Sequence, residues 1–310
     1  MKQQSLSWSC AVLAFTLTGC VPGDTGGGGG LGSFTRGFAF VRDRDIYVAD
    51  DSNVSSPLQL TTTADNRNPS LSKDGRRVVF VRGSAELWVV NATSDPRPTL
   101  VPLSVASITG VHTPVFSPDG NTIVFAYDAS GVSSLGRINV DGTNFRPLTS
   151  QFYYAGPSFF PNGSAVLAAR GSSPASYTQL VGIDINSGLE SVFAGSLGAQ
   201  ACAIANRVAV SPSGTRVAFD ARTFSSGGCS GAVRIFVRDG ATGAVTRLTN
   251  YPAEPLAQDG FPTWVGNDQV GYASDAAAGT NNVYSLQAAL RDTSGVLRVP
   301  TASEPYYGPN

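Results

Sequence analysis

The feature that most constrains this chain is a short apolar run that stops at a turn and resumes, repeated along the sequence. The clearest copy, "TPVFSPDGNTIVFAY", spans residues 113–127. Pro118 presets the first corner of a turn, Asp119 tolerates the second, and Gly120 takes the left-handed position that closes a three-residue hairpin. The flanking residues are β-branched or aromatic, which predicts two strands joined by this hairpin.

The motif recurs at a spacing typical of propeller blades. Further copies are "NPSLSKDGRRVVFVR", "GPSFFPNGSAVLAAR", "RVAVSPSGTRVAFDAR" and, degraded, "FPTWVGNDQVGYAS". Their reference positions lie roughly 43 to 54 residues apart, near the length of a four-stranded blade. These positions are Pro69, Pro114, Pro157, Val208 and Pro262. Each copy is followed by a third apolar strand, and often by a short fourth strand that ends in Leu-Thr.

These repeats resemble the PD40/WD40-type repeats of the TolB-like β-propellers. The units of that family carry P-x-hydrophobic-S-P-D-G, then an apolar strand, then a strand ending in Asp-Gly, then Leu-Thr. The resemblance covers residues 34–310 and rests on five spaced copies. It implies an all-β propeller fold, and it implies little about function because one fold supports many functions.

The two ends of the repeat region complement each other. The segment "RGFAFVRDRDIYVADD", residues 36–51, resembles the second and third strands of a blade that lacks its first strand. The segment "SEPYYGPN", residues 303–310, aligns with "AGPSFFPNG" as an innermost strand. A ring closed in this way leaves no open sheet edge. We therefore predict an all-β, six-bladed β-propeller of four-stranded blades, closed by a C-terminal strand that completes the first blade. Seven blades or an open array are the alternatives.

The first thirty-three residues read as a targeting segment and a tether. Lys2 precedes an apolar stretch, Ala11–Gly19, that is too short to span a bilayer and predicts a secretion signal. The residues ending at Cys20, "LTGC", resemble the lipobox of bacterial lipoproteins, which implies acylation of Cys20; an ordinary signal peptide is the alternative. The glycine-rich run that follows is typical of a flexible tether. The predicted organisation is a lipoprotein signal peptide at 1–19, a lipidated cysteine and tether at 20–33, and a propeller at 34–310.

Two further cysteines fall within one predicted blade. Cys202 precedes the innermost strand of the fifth repeat, and Cys229 lies in the loop between its second and third strands. In a propeller these two loops lie on the same face, so the cysteines should be neighbours. Because an exported protein meets an oxidising compartment, a disulfide is favoured over free thiols or a metal site.

Sequence motifs for catalysis are missing. The chain has no G-x-S-x-G elbow, no Walker A sequence, no H-E-x-x-H motif, and a single histidine. Asp43, Asp45, Asp50 and Asp51 cluster early, which raises calcium as an alternative, but none lies in a D-x-D-x-D-G loop. We predict no catalytic residue, no cofactor and no metal ligand.

Candidate contacts for a partner or ligand lie before the innermost strands. Side chains in this position would surround the mouth of the central channel, although a loop histidine there is also consistent with simple solvation. The aromatic run "QFYY" at 151–154 is either a recognition patch or packing between blades. The candidates are His112, Arg67, Asp259, Phe152, Tyr153 and Tyr154.

The charge pattern and the resemblance together suggest a function. The formal net charge is −1, with 14% charged residues and no basic cluster, which argues against a nucleic-acid partner. The leading hypothesis is a lipid-anchored, non-catalytic envelope propeller that acts as a protein-interaction or scaffolding module. One alternative is a polysaccharide lyase or hydrolase with its site at the channel mouth; another is a purely structural surface protein.

The resemblance also bears on partners and location. It implies a periplasmic protein that interacts with outer-membrane lipoproteins, but this chain departs from the family in carrying its own lipobox and no additional N-terminal domain. We expect an envelope protein as partner, contact with the membrane through the lipid anchor alone, and a monomer; a small molecule or glycan in the channel stays open. Because Val21, rather than aspartate, follows Cys20, the outer membrane is favoured, on either its periplasmic or its surface side.

Overall fold

The computed structural model describes residues 34–103, 108–174, 176–225, 227–276, 279–289 and 293–310. The predicted signal peptide, Cys20 and the tether lie outside the described residues. Within these ranges the chain is built from strands and turns, and no helix there is long and apolar enough to cross a membrane.

The strands fall into consecutive groups of four, which we call blades. In the following list the innermost strand of each blade is named first. Blade 1 contains β24 (Ser303–Gly308), β1 (Gly37–Arg42), β2 (Asp45–Asp50) and β3 (Leu58–Gln59); blade 2 contains β4 (Asn66–Leu71), β5 (Arg77–Arg82), β6 (Glu86–Asn91) and β7 (Thr99–Val101); blade 3 contains β8 (Thr109–Phe116), β9 (Thr122–Ala129), β10 (Val132–Asn139) and β11 (Arg146–Pro147). Blade 4 contains β12 (Tyr153–Phe159), β13 (Ala165–Gly171), β14 (Tyr177–Asp184) and β15 (Glu190–Ala194); blade 5 contains β16 (Ala201–Val210), β17 (Arg216–Thr223), β18 (Val233–Asp239) and β19 (Val245–Arg247); blade 6 contains β20 (Asp259–Val265), β21 (Gln269–Ser274), β22 (Asn282–Gln287) and β23 (Val296–Val299).

Hydrogen bonding joins these strands into antiparallel sheets. Four blades are separate four-stranded sheets, whereas blades 4 and 5 are linked by one residue pair, Tyr177 with Ile204. The all-β prediction is confirmed. β24 pairs antiparallel with β1, with Gly308 opposite Gly37, so the C-terminal segment completes blade 1 as the sequence predicted. Each innermost strand contacts the innermost strand of the next blade, and β24 contacts β4, which closes the circle.

Because successive strands run in opposite directions, the connections fall on two faces. The loop face carries the connections between blades and those between the second and third strands of a blade. The turn face carries the hairpin turns of the repeat and the connections to the fourth strands. The core lies between neighbouring blades, as where Val78 and Phe80 of β5 pack with Ile46 and Val48 of β2. Burial of these apolar side chains is the main force that holds blades together.

The repeated Ser-Pro-Asp-Gly motif forms its hairpin through the serine and the aspartate. In blade 3 the Thr122 amide donates to Ser117 Oγ over 2.9 Å, and the Asn121 amide donates to Asp119 Oδ1 over 3.1 Å. Gly120 has a φ of 71°, in the left-handed region that favours glycine. The hydrogen bonds hold the pKa of Asp119 below its usual range.

The Leu-Thr motif attaches the fourth strand to the third. In three blades the threonine hydroxyl accepts a hydrogen bond from a backbone amide of the third strand, and the preceding leucine is buried. The distances are 2.9 Å from Ile46 to Thr61, 2.8 Å from Leu135 to Thr149 and 3.0 Å from Ile235 to Thr249. Both conspicuous motifs of the sequence therefore have a structural role.

Cys202 and Cys229 form the disulfide that the sequence predicted, with Cα atoms 5.6 Å apart. The bond links the beginning of β16 to the loop between β17 and β18 on the loop face. The chain-entropy relation for a separation of 27 residues gives a stabilisation of about 3.5 kcal/mol. We expect the double variant Cys202→Ser with Cys229→Ser to lose about this free energy of unfolding in urea titrations. An unfolding midpoint equal to that of the wild-type protein would contradict this prediction, because it would show that the disulfide does not stabilise the fold.

Candidate functional site

Every innermost strand contains a bulge at the same place. The pairing register shifts between Arg67 and Ser70 in β4, between Gly260 and Thr263 in β20, and at the matching point of the other four blades. At five of the six places the next residue is proline, which has no N–H to give to the ladder, so pairing is interrupted there. One residue in each blade directly precedes this proline, or Val208 in blade 5. We call these six residues the bulge ring: Asn68, Thr113, Gly156, Arg207, Phe261 and Glu304.

The backbone of the bulge ring is strained. Five of its members have φ values of 47–56°, a region that costs a residue with a side chain on the order of 1 kcal/mol. Of these five, Gly156 is the one without a side chain and carries no such cost; a Cβ there would lie 2.7 Å from Arg207 Cα, so no side chain fits. Bulges redirect side chains. Here they bring residues from six distant segments into contact.

One side of the ring is a polar chain that crosses three blades. The Asn68 amide and Asn68 Nδ2 both donate to Glu304 Oε2, the latter over 3.0 Å. Asn68 Oδ1 in turn accepts the Thr113 amide over 3.2 Å. Burial raises the pKa of Glu304, and the hydrogen bonds from Asn68 and the charge of Arg207 offset this only in part.

The other side of the ring is formed by Arg207, which is 4% exposed. Its Nη1 donates to the Pro305 carbonyl over 2.9 Å, and its guanidinium carbon lies 5.6 Å and 5.5 Å from the ring centres of Phe261 and Tyr306. The side chain therefore reaches from blade 5 past blade 6 to blade 1. Cation–π contacts of this kind stabilise a guanidinium that has lost its water.

Asp220, on the neighbouring strand β17, supports this half of the ring. Its Oδ1 accepts the amides of Asn206 and Arg207, each over 2.9 Å, and its Oδ2 accepts the Phe261 amide over 2.9 Å and Asn206 Nδ2 over 2.8 Å. The side chain is fully buried, and burial raises its pKa. One carboxylate thus holds the bulges of blades 5 and 6 together.

The ring is reached from the loop face. Glu304 lines a depression of about 460 Å³ together with four charged neighbours, Asp43, Arg44, Asp65 and Arg67. Arg44 and Asp65 form an exposed ion pair of 2.9 Å. The pocket on the turn face, about 160 Å³, is lined by Phe116, Phe159 and Tyr306 among others, and by no member of the ring. The charged opening therefore lies on the loop face, and the turn-face pocket is separate from it.

Of the candidate contacts, Arg67 lines this opening, and its side chain reaches the residue before His112. Arg67 Nη2 donates to the Val111 carbonyl over 3.4 Å, and His112 Nε2 lies 3.4 Å from Ser133 Oγ. Burial lowers the pKa of His112, the charge of Asp128 opposes this shift in part, and Arg67 adds to it. Both residues are half-buried and directly precede ring members in the chain.

Asp259 is placed differently from the position that the sequence suggested. It is 1% exposed, so it is not available as a contact at the mouth. Asp259 is three residues before the proline of its repeat, whereas Arg67 and His112 are two residues before theirs. Asp259 therefore corresponds to Asn66 and Val111, which are buried. Because a one-residue shift turns a side chain to the other side of a strand, Asp259 points away from the opening.

The aromatic run is mostly packing. Tyr154 is 3% exposed and donates to Glu190 Oε2 over 2.7 Å, while Tyr153 Oη donates to the Gly131 carbonyl over 3.0 Å. Phe152 is more exposed, and its ring centre lies 4.7 Å from the guanidinium carbon of Arg170. Within this run, therefore, Phe152 is the residue that offers apolar surface on the loop face.

The early aspartates serve the fold. Asp45 is buried and accepts Thr61 Oγ1, Asn66 Nδ2 and the Ala64 amide over 2.8–3.1 Å. Asp51 accepts Tyr307 Oη. In the part of the chain that the structure describes, no group of three or more histidine, cysteine or acidic side chains is arranged to hold a metal ion.

The sequence did not identify Asn68, Thr113, Arg207, Phe261 or Glu304 as a set. The signal was present, since each directly precedes a reference position of the repeat or the matching Pro305. Repeats are usually compared for the residues that they share. Here the informative position is the one directly before the reference residue, where the copies carry different residues.

Comparisons with known proteins agree with the architecture. No family model matches the chain. The Tol-Pal system protein TolB of Gluconobacter oxydans (strain 621H) is 45% identical over 60 residues, which is 19% of this chain and 13% of that protein's length. A protein assigned as TolB from Agrobacterium tumefaciens superposes with a TM-score of 0.63 at 18% identity, covering 88% of this chain and 92% of its own.

TolB from Acinetobacter baumannii superposes with a TM-score of 0.64 at 17% identity, covering 90% of this chain and 68% of its own. The nidogen–laminin complex contains a chain with the same score at 11% identity, covering 88% of this chain and 98% of its own. Identities this low show the fold alone. The chain has a TolB-like β-propeller fold.

Proposed function

We propose that this protein is a lipid-anchored, non-catalytic interaction module of the bacterial envelope, and that its protein partner binds over the bulge ring from the loop face. The observation that carries the proposal is the charged opening at Glu304, which the strained bulges hold in place. Backbone strain that the surrounding fold maintains is concentrated at functional sites. The name of the Gluconobacter relative, a Tol-Pal system protein, fits an envelope role.

The chemistry of the opening favours a polypeptide over an apolar ligand. The depression carries both signs of charge, in Asp43, Arg44, Asp65, Arg67 and Glu304. Complementary charges on a partner give specificity and a faster association rate. The carboxylates of the half-buried Glu304 and the buried Asp220 both accept backbone amides, so we assign them to holding the ring and propose no catalytic role, cofactor or metal.

The anchor follows from the N-terminal sequence. We propose that residues 1–19 are removed, that Cys20 is acylated, and that residues 20–33 connect it to a monomeric propeller on the outer membrane. Burial of each acyl methylene contributes about 0.8 kcal/mol, so more than one chain gives a stable anchor. Its partner is then another envelope protein.

Partner capture with matched arginine variants tests the proposed function. Arg44 on the loop face and Arg97 on the turn face are similarly exposed, and each pairs with one aspartate. After crosslinking in cells and purification in mild detergent, we expect Arg44→Glu to lower recovery of a stoichiometric envelope protein by about tenfold, equal to roughly 1.4 kcal/mol. Arg97→Glu should recover it at the wild-type level. Equal recovery with both variants, or no partner above a Cys20→Ala control, contradicts the proposal.

A further inference from the structure

Two arginine side chains of the described chain are almost fully buried, and they differ in what surrounds them. Arg207 and Arg234 are each 4% exposed. The guanidinium of Arg234 donates to three backbone carbonyls and lies 3.8 Å from Asp259 Oδ2. The charge of Arg234 is therefore compensated by the protein itself, as is usual for a buried ion.

The guanidinium of Arg207 has far fewer partners. Its Nη1 donates to the Pro305 carbonyl over 2.9 Å, and no carboxylate of the described residues lies at ion-pair distance from it. Burial lowers the pKa of Arg207, and Tyr306, Glu304 and Asp220 oppose this shift electrostatically. Because arginine keeps its proton in proteins, the fold holds a buried cation with no counter-ion in contact.

The two carboxylates that act on Arg207 are engaged by other groups. Both oxygens of Asp220 accept hydrogen bonds from the bulges of blades 5 and 6. Oε2 of Glu304 accepts the amide and Nδ2 of Asn68. Neither carboxylate can turn towards the guanidinium without opening the bulge that it holds, so the fold has no spare acid for Arg207.

The unused part of the guanidinium is the edge that carries Nε–H and Nη2–H. Neither nitrogen donates to the described residues, and neither is closed off from solvent. The two N–H groups of this edge are parallel and match the two oxygens of a carboxylate. The rings of Phe261 and Tyr306, with centres 5.6 Å and 5.5 Å from the guanidinium carbon, hold the group in place. The edge is therefore both fixed and open.

This edge lies between the two openings of the channel. Arg207 contacts β24 at Pro305; the residue before it, Glu304, lines the loop-face depression, and the residue after it, Tyr306, lines the turn-face pocket. Since Arg207 retains 4% exposure, the group that reaches it is small. Arg207 is the one cation of the bulge ring and Glu304 its one acid, so a singly charged carboxylate is favoured over a doubly charged phosphate.

We propose that Arg207 anchors a carboxylate-binding site in the central channel, with Nε and Nη2 donating to the two carboxylate oxygens. The carboxylate belongs either to a small free acid or to an acidic side chain of a protein partner, because both present the same group. Binding supplies the counter-ion that the fold omits. The site stands apart from the proposed function, since it requires neither a lipid anchor nor a partner.

Nitrogen-15 NMR of arginine side chains in the full-length protein, in detergent micelles, tests the site. Nuclear Overhauser contacts to the rings of Phe261 and Tyr306 identify the Arg207 Nε–H signal in the wild-type protein. Sodium acetate and sodium chloride are titrated separately at constant ionic strength. We expect acetate to move this signal downfield, with half-saturation about tenfold below that of chloride. The Arg234 signal should stay in place, because its guanidinium already has partners.

Two lysine variants separate the fork from the charge. Arg207→Lys keeps the charge but presents a single point, so its acetate affinity, measured from the rise in the urea midpoint of unfolding, should fall about tenfold. Arg216→Lys is the control, because Arg216 also lies over an aromatic ring, 5.1 Å from the centre of Trp264, but pairs with Asp268. It should bind acetate as the wild-type protein does.

Three results would overturn the proposal. They are an Arg207 signal that acetate does not move, one that acetate and chloride move alike, and an Arg207→Lys variant that binds acetate as tightly as the wild-type protein. If Arg207→Lys does not fold, the wild-type titration decides by itself.

Partner capture from detergent-solubilised envelopes, in acetate and in chloride at equal ionic strength, distinguishes the two sources of the carboxylate. Recovery that falls in acetate alone shows that a partner's acidic side chain occupies the site, whereas equal recovery in both salts assigns the site to a free acid. Recovery of no partner contradicts the proposed function and leaves the result of the acetate titration in force.

Discussion

Replacement of Asp220 by alanine is expected to lower the free energy of unfolding by about 3–5 kcal/mol, because it leaves several buried donors without an acceptor. The amides of Asn206, Arg207 and Phe261 all donate to this carboxylate, as does Asn206 Nδ2. The raised pKa of Asp220, caused by burial, shows that its ionised form is itself disfavoured. Removal of that charge recovers part of the loss, and the unpaired donors outweigh it.

Chemical denaturation at pH 7 measures this effect. Asp268→Ala is the matched control, since Asp268 is 83% exposed and pairs with Arg216 at the surface, where an ion pair contributes less than about 1 kcal/mol. Asp220→Asn should fall between the two, because an amide keeps one acceptor and places its NH₂ against donors. An Asp220→Ala variant as stable as Asp268→Ala would mean that these bulges do not depend on the carboxylate.

The location of Asp220 also connects stability to the proposed site. The amides that donate hydrogen bonds to Asp220 belong to the bulges of blades 5 and 6. Those bulges set the positions of Arg207 and Phe261. Loss of the carboxylate should therefore disturb the ring before it disturbs the outer strands. Hydrogen exchange of the Arg207 and Phe261 amides would rise first, since local openings expose such groups without global unfolding.

The fold could be predicted from sequence because its signals are local. Gly120 and the hairpin around it identify two paired strands within fifteen residues, and the repetition of that unit identifies the architecture. The closing strand was predictable for the same reason, since residues 303–310 align with a unit whose role is known from the other copies. The disulfide followed from placing Cys202 and Cys229 on that framework, and the structure confirms it.

The site could be predicted only in part, because it is assembled from residues far apart in the chain. Arg67 and His112 were identified from their place before an innermost strand; Arg67 lines the opening, whereas His112 lies against Ser133 of the neighbouring strand β10. Glu304 and Arg207 could not be paired in advance, because the Pro305 contact depends on how blades 5, 6 and 1 face the channel. Asp259 shows the limit most clearly, since a difference of one residue in register separates a surface contact from a buried acid.

Stability is expected to rise as the pH falls from about 7 to about 4, through protonation of Asp259. Burial raises the pKa of this carboxyl to about 6, and the Thr249 hydroxyl and Arg234 offset the effect only in part. Thr249 Oγ1 donates to Asp259 Oδ2 over 2.6 Å, and Arg234 Nη1 lies 3.8 Å away. The folded state therefore holds a proton in a range where the unfolded chain, with an ordinary aspartate pKa near 3.8, has lost it.

The sign follows from proton linkage. Between about pH 4 and pH 6 the folded state binds more protons than the unfolded state, so its stability falls as the pH rises and levels off above the folded pKa. The difference between a pKa of about 6 and the ordinary 3.8 corresponds to about 3 kcal/mol. Glu304 and Asp220, whose pKa values burial also raises, act in the same direction. Asp119 and Asp184, whose pKa values hydrogen bonds lower, act in the opposite direction at lower pH.

Comparison with Asp259→Asn isolates this one residue, because the other groups titrate alike in both proteins. Unfolding by urea at half-unit steps from pH 4 to pH 7.5 should give a difference curve that changes by about 3 kcal/mol and has its steepest part between about pH 4 and pH 6. The slope of that curve is the readout, since the amide also removes the partner of Arg234 and shifts the absolute stability by a constant. Parallel curves for the two proteins would place the Asp259 pKa at its ordinary value, and would mean that water reaches a carboxyl that the packing of blades 5 and 6 encloses.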